Sequence, residues 1–436
     1  MSSALNADLD DQNLVLLDQS ADVDKTNATF YAKYPFPCRA QRLERPMDPD
    51  LERLMVCQDL GDWSHKRLPN KPAIWVAGCG TNQAVMTALS FPKGQIIGSD
   101  VSPRSVEIAS LSAADLGLSN LTLRVESLND ASYREQFDYI ICTGVIHHNA
   151  NPAESLKALA RALKPNGVLQ LMVYNRYHRI TSSCMQKALR VLSGDTVPGS
   201  ERQQGLASIL VKTAQGPGLI GDFLRAMRDA RPEELADGLM QPIEHSYTIA
   251  SLAQLAQSAG LELELPCLNQ FDQMRGRFDW NLQVTDPEVK RYYTALPDLD
   301  RWYVTNLLLC ERSPLLWFYL RPQNVATRST EAQICESFLE SRFTRVISRR
   351  SSYTLRADDK YHADRGSVEF PPPAERPFSA VVADADGQTT MRALLHRHGL
   401  PTSFPEVNIS RLRLSSTAFP YLRAVAQSPS IASVSH

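Results

Sequence analysis

Ile74-Trp75-Val76-Ala77-Gly78-Cys79-Gly80-Thr81-Asn82 is an apolar run that ends in two glycines. A strand with no charged residue on either face reads as one buried on both sides, as in a parallel sheet. Glycines at 78 and 80 let the backbone approach a ligand that any side chain would push away. A structural tight turn uses the same residues, so the meaning of the pair depends on what surrounds it. Asp100 closes the next apolar run, Gln95 to Ser99, twenty residues after Gly80. A carboxylate there can accept both hydroxyls of an adenosine ribose. The combination specifies a ligand that contains adenosine.

Outward from this turn, short apolar runs alternate with helical stretches. Ala73 to Ala77, Gln95 to Ser99, Leu121 to Val125, Tyr139 to Cys142 and Val168 to Tyr174 read as strands. Ser102 with Pro103, and Asn151 with Pro152, carry the signals of helix starts. Residues 179 to 243 hold no comparable strand and read as a helical insertion. A helix over Ala250 to Ala259 leads to a sixth strand, Leu261 to Leu265, and Leu315 to Leu320 supplies a seventh. The fold class is α/β, a Rossmann-like seven-stranded, mostly parallel sheet with a helical insertion and an appended C-terminal α+β domain.

A chain of 436 residues exceeds the size at which one hydrophobic core stops growing, roughly 250–300 residues. Three parts are expected: a tail and lid segment over 1–69, the α/β domain over 70–322, and a C-terminal domain of unresolved role over 323–436. The Asp-rich first 26 residues read as a mobile tail or surface helix and lack the pattern of a secretory signal. No apolar run approaches the ~20 residues of a membrane span. Eight cysteines, Cys38, Cys57, Cys79, Cys142, Cys184, Cys267, Cys310 and Cys335, are scattered singly. They read as free thiols without metal-site spacing, which fits a cytoplasmic protein. A net charge of −2 gives no field to draw nucleic acid or an anionic membrane. Arg342, Arg345, Arg349 and Arg350 read as a solvated helix face balanced by Glu336 and Glu340.

Which adenosine ligand is meant follows from position 83. A dinucleotide fingerprint needs a third glycine there, so that the helix N-terminus cradles a pyrophosphate. Gln83 occupies the position. A methionine-derived tail has no phosphate to cradle, which favours S-adenosylmethionine over NAD.

With Tyr139-Ile140-Ile141-Cys142-Thr143-Gly144-Val145-Ile146-His147-His148 and the turn Leu163-Lys164-Pro165-Asn166-Gly167 added, the chain resembles the class I S-adenosylmethionine-dependent methyltransferases. It is similar in particular to the bacterial branch with VAGCGT, GVLHH and LKPGG motifs. The resemblance covers residues 30 to 175 and extends loosely to about residue 320. It implies Gly78, Cys79 and Gly80 beside the methionine moiety, Asp100 on the ribose, Ser127 and Leu128 flanking adenine, and Thr143, Gly144 and Val145 near the sulfonium. It also implies that Tyr34-Pro35-Phe36-Pro37 lies across the cleft as a lid. Three residues depart from the pattern: Val76 and Ser127 where many members are acidic, and Asn82 in place of a frequent glycine.

His147 and His148 are the candidates for a general base, because imidazole titrates near neutrality. Methyl transfer from a sulfonium can also proceed by positioning and desolvation alone. Tyr34, Tyr174, Arg176, His245 and Tyr247 are the candidates for contacting the acceptor, set against a reading as ordinary loop residues. The expected activity is methyl transfer to an O, N or C acceptor on a small or medium-sized molecule. The rival readings are a non-catalytic cofactor-binding or partner-binding protein and an NAD-dependent oxidoreductase.

Overall fold

The computed structural model describes residues 23–194, 198–213, 218–269, 273–274, 279–309, 313–323 and 328–425. The reading of residues 1 to 26 therefore falls almost wholly outside the described residues, as does Cys310; the other seven cysteines are free. Strands are β1 (Arg42–Pro46), β2 (Ala73–Ala77), β3 (Gln95–Asp100), β4 (Leu121–Val125), β5 (Phe137–Thr143), β6 (Leu163–Tyr174), β7 (Leu261–Pro266) and β8 (Leu315–Pro322). Six more follow: β9 (Arg342–Arg345), β10 (Ser348–Leu355), β11 (Tyr361–Ala363), β12 (Val368–Phe370), β13 (Asp386–Thr390) and β14 (Leu422–Ala424).

The large sheet runs β4-β3-β2-β5-β6-β8-β7. Its first five strands pair in parallel, and β8 runs antiparallel to both β6 and β7. This is the Rossmann-like, mostly parallel seven-stranded sheet that the apolar runs predict. The order reverses at β2, which lies between β3 and β5, and ligands of open α/β sheets bind at such a switch point beyond the strand ends. Strand β6 begins earlier than predicted, because Leu163 already faces Phe137 before the register shifts at the Pro165-Asn166-Gly167 turn.

Helices are α1 (Val23–Lys33), α2 (Leu51–Asp59), α3 (Gln83–Ser90), α4 (Pro103–Asp115) and α5 (Pro152–Ala162). Ser102 caps α4 by accepting from the Ser105 N–H, and Asn151 caps α5 by accepting from Glu154. Helices α6 (Arg176–Ser193), α7 (Glu201–Thr213), α8 (Leu219–Ala226) and α9 (Pro232–Leu239) form the insertion, and α10 (Ile249–Ser258) leads back to the sheet. The insertion has its own apolar cluster. Phe30 and Tyr34 of the N-terminal segment pack there against Met185, Leu189, Val211 and Leu239.

The segments read separately as 1–69 and 323–436 meet in the structure. β1 pairs antiparallel with β10, from Arg42 opposite Thr354 to Pro46 opposite Arg350. One continuous apolar core runs from Ile74 and Val76 through Phe318 to Phe338, Val381 and Leu414. Gln58 of α2 is fully buried; its Nε2 donates to the carbonyls of Ser415 (2.9 Å) and Leu422 (3.0 Å), while its Oε1 accepts from the Ala424 N–H at 2.8 Å. The arginine stripe is corrected by this architecture. Arg342 and Arg345 lie on β9, and Arg349 and Arg350 on β10, so they share no helix face. Glu336 and Glu340 pair instead with Arg392, and Arg350 with Glu44. Short strands replace the helix because each of these segments finds a partner strand distant in sequence.

Among the described residues no helix is long and apolar enough to cross a membrane.

Removing the Gln58 amide leaves three buried backbone groups without their partner, each worth about 1–3 kcal/mol. Gln58→Ala is expected to lower unfolding stability by about 2–5 kcal/mol in urea titration, given partial rescue by water. A loss below about 0.5 kcal/mol, the scale of a neutral surface change, would show that the C-terminal segment docks independently of α2.

Candidate active site

The turn after β2 holds two glycines for two different reasons. Gly78 has φ +68°, and a Cβ there would sit 2.3 Å from a methyl of Val145. Gly80 has φ +53°, and its Cβ would sit 2.9 Å from the Phe36 carbonyl oxygen. Neither position tolerates an L side chain, so β5 and the Phe36-Pro37 segment can close on the turn from opposite sides. The Gly80 N–H donates to Asp100 Oδ2 at 2.8 Å, and the Ser102 N–H donates to Oδ1 at 2.9 Å. Each carboxylate oxygen keeps a lone pair for a further donor. Burial raises the Asp100 pKa above the usual carboxylate value, opposed by these two N–H donors. At the start of α3, Gln83 Oε1 accepts from Thr143 Oγ1 at 2.8 Å. A side chain tied to β5 thus stands where a dinucleotide needs glycine.

A cavity of about 420 Å³ opens at these strand ends. Gly78, Cys79, Gly80, Asp100, Ser127, Leu128, Thr143, Gly144 and Val145 all line it, so the structure brings every predicted cofactor position to one surface. His148 and Tyr174 line it too.

The remaining predicted residues lie outside the lining. His147 is fully buried behind its neighbour, its ring 4.1 Å from that of Tyr174 and 4.2 Å from that of His148. Burial, with His148 and Arg179 nearby, pushes its pKa well below the histidine range. Tyr34 turns into the insertion cluster, where its hydroxyl donates to the Gly199 carbonyl (3.0 Å) and Gln204 Oε1 (2.7 Å). Arg176 donates to the Ser246 carbonyl. His245 holds the Asn149 carbonyl at 3.0 Å, and Tyr247 is buried in the core beside β6. These four fasten the cleft's surroundings and do not face the cavity.

His148 differs from His147 in having a defined tautomer. Its Nδ1 lies 2.8 Å from the Ile243 carbonyl oxygen, which can only accept, so Nδ1 carries the proton and Nε2 keeps its lone pair. Burial pushes its pKa down to about 4, outweighing the opposing charge of Glu244. The imidazole is therefore neutral at pH 7.

Residues 77–212 match the sequence profile of a family described as a methyltransferase domain. Over these residues the chain is similar to a methyltransferase domain. An uncharacterized protein of Synechococcus sp. is 30% identical over 201 residues, which is 44% of this chain and 47% of that protein. A ubiquinone biosynthesis O-methyltransferase of Xylella fastidiosa is 29% identical over 118 residues, covering 26% and 47% respectively. The chain thus spans about half the length of the curated relatives it matches. PKMT2 from Rickettsia typhi shares the fold, with TM-score 0.55 and 13% identity over 87% of this chain and 76% of that one. Its complex with AdoHcy gives TM-score 0.51 and 15% identity over 72% and 64%.

Several residues lining the cavity come from segments without a motif. Helix α1 contributes Asp24, Asn27 and Tyr31, and α9 contributes Asp237. Asp24 accepts from Ser127 Oγ at 2.5 Å, so a carboxylate from α1 stands beside the serine that departs from the family pattern. Asn27 donates to the His148 carbonyl at 2.9 Å. Of the predicted lid, Phe36 and Pro37 face the cavity. Asn82, the third departure, anchors that segment: its Nδ2 donates to the Cys38 carbonyl at 2.8 Å, and its Oδ1 accepts from Ala40 N–H at 3.1 Å. Where the sequence pointed to Tyr34, the cavity is lined instead by Tyr31, three residues earlier on α1.

Two outcomes follow. Gly78→Ala is expected to weaken binding of an adenosine ligand more than tenfold in calorimetric titration, because the left-handed turn and Val145 both resist the methyl. Retained affinity would show that the turn relaxes freely. For His148 the folded pKa lies below the ordinary 6.5, so the unfolded chain binds its proton first. The stability this group contributes is complete above about pH 6.5 and is lost as pH falls toward 4. His148→Gln is expected to lose less thermal stability than wild type between pH 7 and 5; equal losses would place the acid sensitivity elsewhere.

Proposed function

We propose that this protein binds S-adenosylmethionine and transfers its methyl group to an O, N or C acceptor on a small or medium-sized molecule. The observation that carries the reading is the convergence of the glycine turn, the Asp100 carboxylate and a neutral His148 on one cavity. The residues fit the cofactor by shape and chemistry: Gly78 and Gly80 leave a cradle that a Cβ would fill, and Asp100 retains acceptor capacity for ribose hydroxyls. Ser127 and Leu128, with Asp24 beside them, would flank adenine; Thr143, Gly144 and Val145 would floor the methionine end. When bound, the cofactor supplies a methyl group activated by a sulfonium. The AdoHcy complex of Rickettsia typhi PKMT2, a protein of the same fold, supports the assignment.

The chain's own work at the other end is positioning and proton acceptance. With Nδ1 engaged by Ile243, Nε2 of the cavity-lining His148 is the ring nitrogen that would take a proton from an acceptor. Gln83 and its Thr143 partner stand against a pyrophosphate at the α3 N-terminus, which disfavours NAD.

Calorimetry with S-adenosylmethionine and S-adenosylhomocysteine tests the reading. Wild type is expected to bind both, Asp100→Ala to bind them about 1–3 kcal/mol more weakly, and NADH not to bind. A folded protein that binds neither sulfur ligand would overturn the proposal. Once an acceptor is in hand, His148→Ala is expected to lower kcat by about 10²–10⁴-fold with cofactor affinity unchanged. An unaltered kcat would leave catalysis to positioning alone.

A further inference from the structure

The cavity has an end that the cofactor residues do not account for. Beyond Gly144 its wall is made by Tyr31, His148, Tyr174 and Asp237, the last reaching in from the insertion. None of the described residues lining the cavity is a lysine or arginine, whereas Asp24, Asp100, Glu126 and Asp237 all line it. Three of these carboxylates have structural partners: Asp100 holds two backbone N–H groups, Asp24 holds Ser127, and Glu126 accepts from the Tyr133 hydroxyl at 2.8 Å.

Asp237 is placed differently. Its Oδ1 accepts from Gln241 Nε2 at 2.7 Å and faces the Tyr31 hydroxyl at 3.5 Å, both neutral donors. Gln241 Nε2 also donates to the Tyr31 hydroxyl at 2.8 Å, so the three side chains brace one another around the carboxylate. The guanidinium of Arg179 is committed to Glu244, which accepts at both its oxygens. Arg179 also stacks on the Tyr174 ring, 4.1 Å from its centroid. Burial raises the Asp237 pKa to about 6, opposed chiefly by the nearby Arg179 charge. At neutral pH this leaves a braced, ionised carboxylate inside the protein, facing a cavity that supplies no cation of its own. Burying such a charge with no cation in contact is costly even with Arg179 nearby, and a cationic ligand lowers that cost. The phenol rings of Tyr31 and Tyr174 add surface suited to an alkyl stem ending in a charge.

We propose that the acceptor end of the cleft is an amine site, with Asp237 pairing the ammonium group of the incoming molecule and Tyr31 and Gln241 holding the carboxylate in place. The inference rests on the methyltransferase reading and narrows the molecules that the acceptor end binds to those carrying a primary or secondary ammonium group. Anionic acceptors, carboxylates and phosphates among them, are turned away by the same wall.

Binding with three six-carbon probes tests this without turnover. Hexylamine, 1-hexanol and hexanoate are titrated into wild-type protein saturated with S-adenosylhomocysteine, whose own binding is measured first. Hexylamine is expected to bind at least tenfold more tightly than hexanol, with hexanoate weakest. Asp237→Asn, which preserves shape, is expected to erase the preference for hexylamine while leaving S-adenosylhomocysteine affinity within threefold of wild type. Equal binding of the three probes, or a hexylamine preference that survives Asp237→Asn, overturns the amine site while leaving the cofactor reading intact. A loss confined to S-adenosylhomocysteine in Asp237→Asn also overturns it, by assigning the carboxylate to the cofactor. Failure of S-adenosylhomocysteine to bind wild type is the distinct outcome that removes the parent reading. Should Asp237→Asn not fold, the ranking of the three probes on wild type decides.

Discussion

The bond from the Gly80 N–H to the Asp100 carboxylate is the constraint on which the site depends. It ties the turn after β2 to the end of β3, adjacent parallel strands at the point where sheet order reverses. The turn can accept that tie only because residues 78 and 80 adopt positive φ. Once it is made, the N-terminus of α3, the floor at Thr143 to Val145 and the carboxylate itself stand in fixed relation before any ligand arrives. Such preorganisation means that binding need not order the loop that does the recognising.

Around that fixed floor the walls are borrowed from elsewhere. Helix α1 and the Phe36-Pro37 segment roof the cavity, and α9 closes its far side. These pieces are themselves joined, because Phe30 and Tyr34 are buried in the apolar cluster of the insertion. Roof and far wall therefore form one packed unit laid over the strand ends, while the floor belongs to the sheet. The division is also chemical: glycines and backbone geometry shape the floor, while charged and aromatic side chains such as Tyr31 and Asp237 come from the walls.

The floor was legible in the sequence and the walls were not, for physical reasons. Buried parallel strands must be apolar on both faces, so Ala73 to Ala77 and Tyr139 to Cys142 announce themselves within five residues. The glycine turn and Asp100 have a fixed spacing because the strand and crossover geometry fixes it. Tyr34 was a reasonable choice for a cleft residue, yet its helix phase aims it at Gln204 and gives the cavity to Tyr31, three residues earlier. Asp237 sits in Pro232–Leu239, a stretch with no local mark of function. The arginines at 342 to 350 were misread as a helix face because β9 and β10 are short, polar strands whose partners, β14 and β1, lie far away in the chain. Local pattern cannot report a pairing such as Arg42 with Thr354, whose partner lies far outside any sequence window.

The junction of α2 with the C-terminal strands has a bearing on how the molecule is made. Gln58 bonds to Ser415 and Leu422, and Leu51, Leu54 and Met55 pack toward Val346 and Phe370. On a ribosome adding about 5–20 residues per second, those partners emerge tens of seconds after α2. Through that interval the helix presents an uncovered apolar face while the parallel sheet behind it is already able to form. The nascent protein thus completes the packing of α2 only after the C-terminal strands have emerged. Burial of this face is therefore tied to the synthesis of residues 346–424 and not to completion of the sheet.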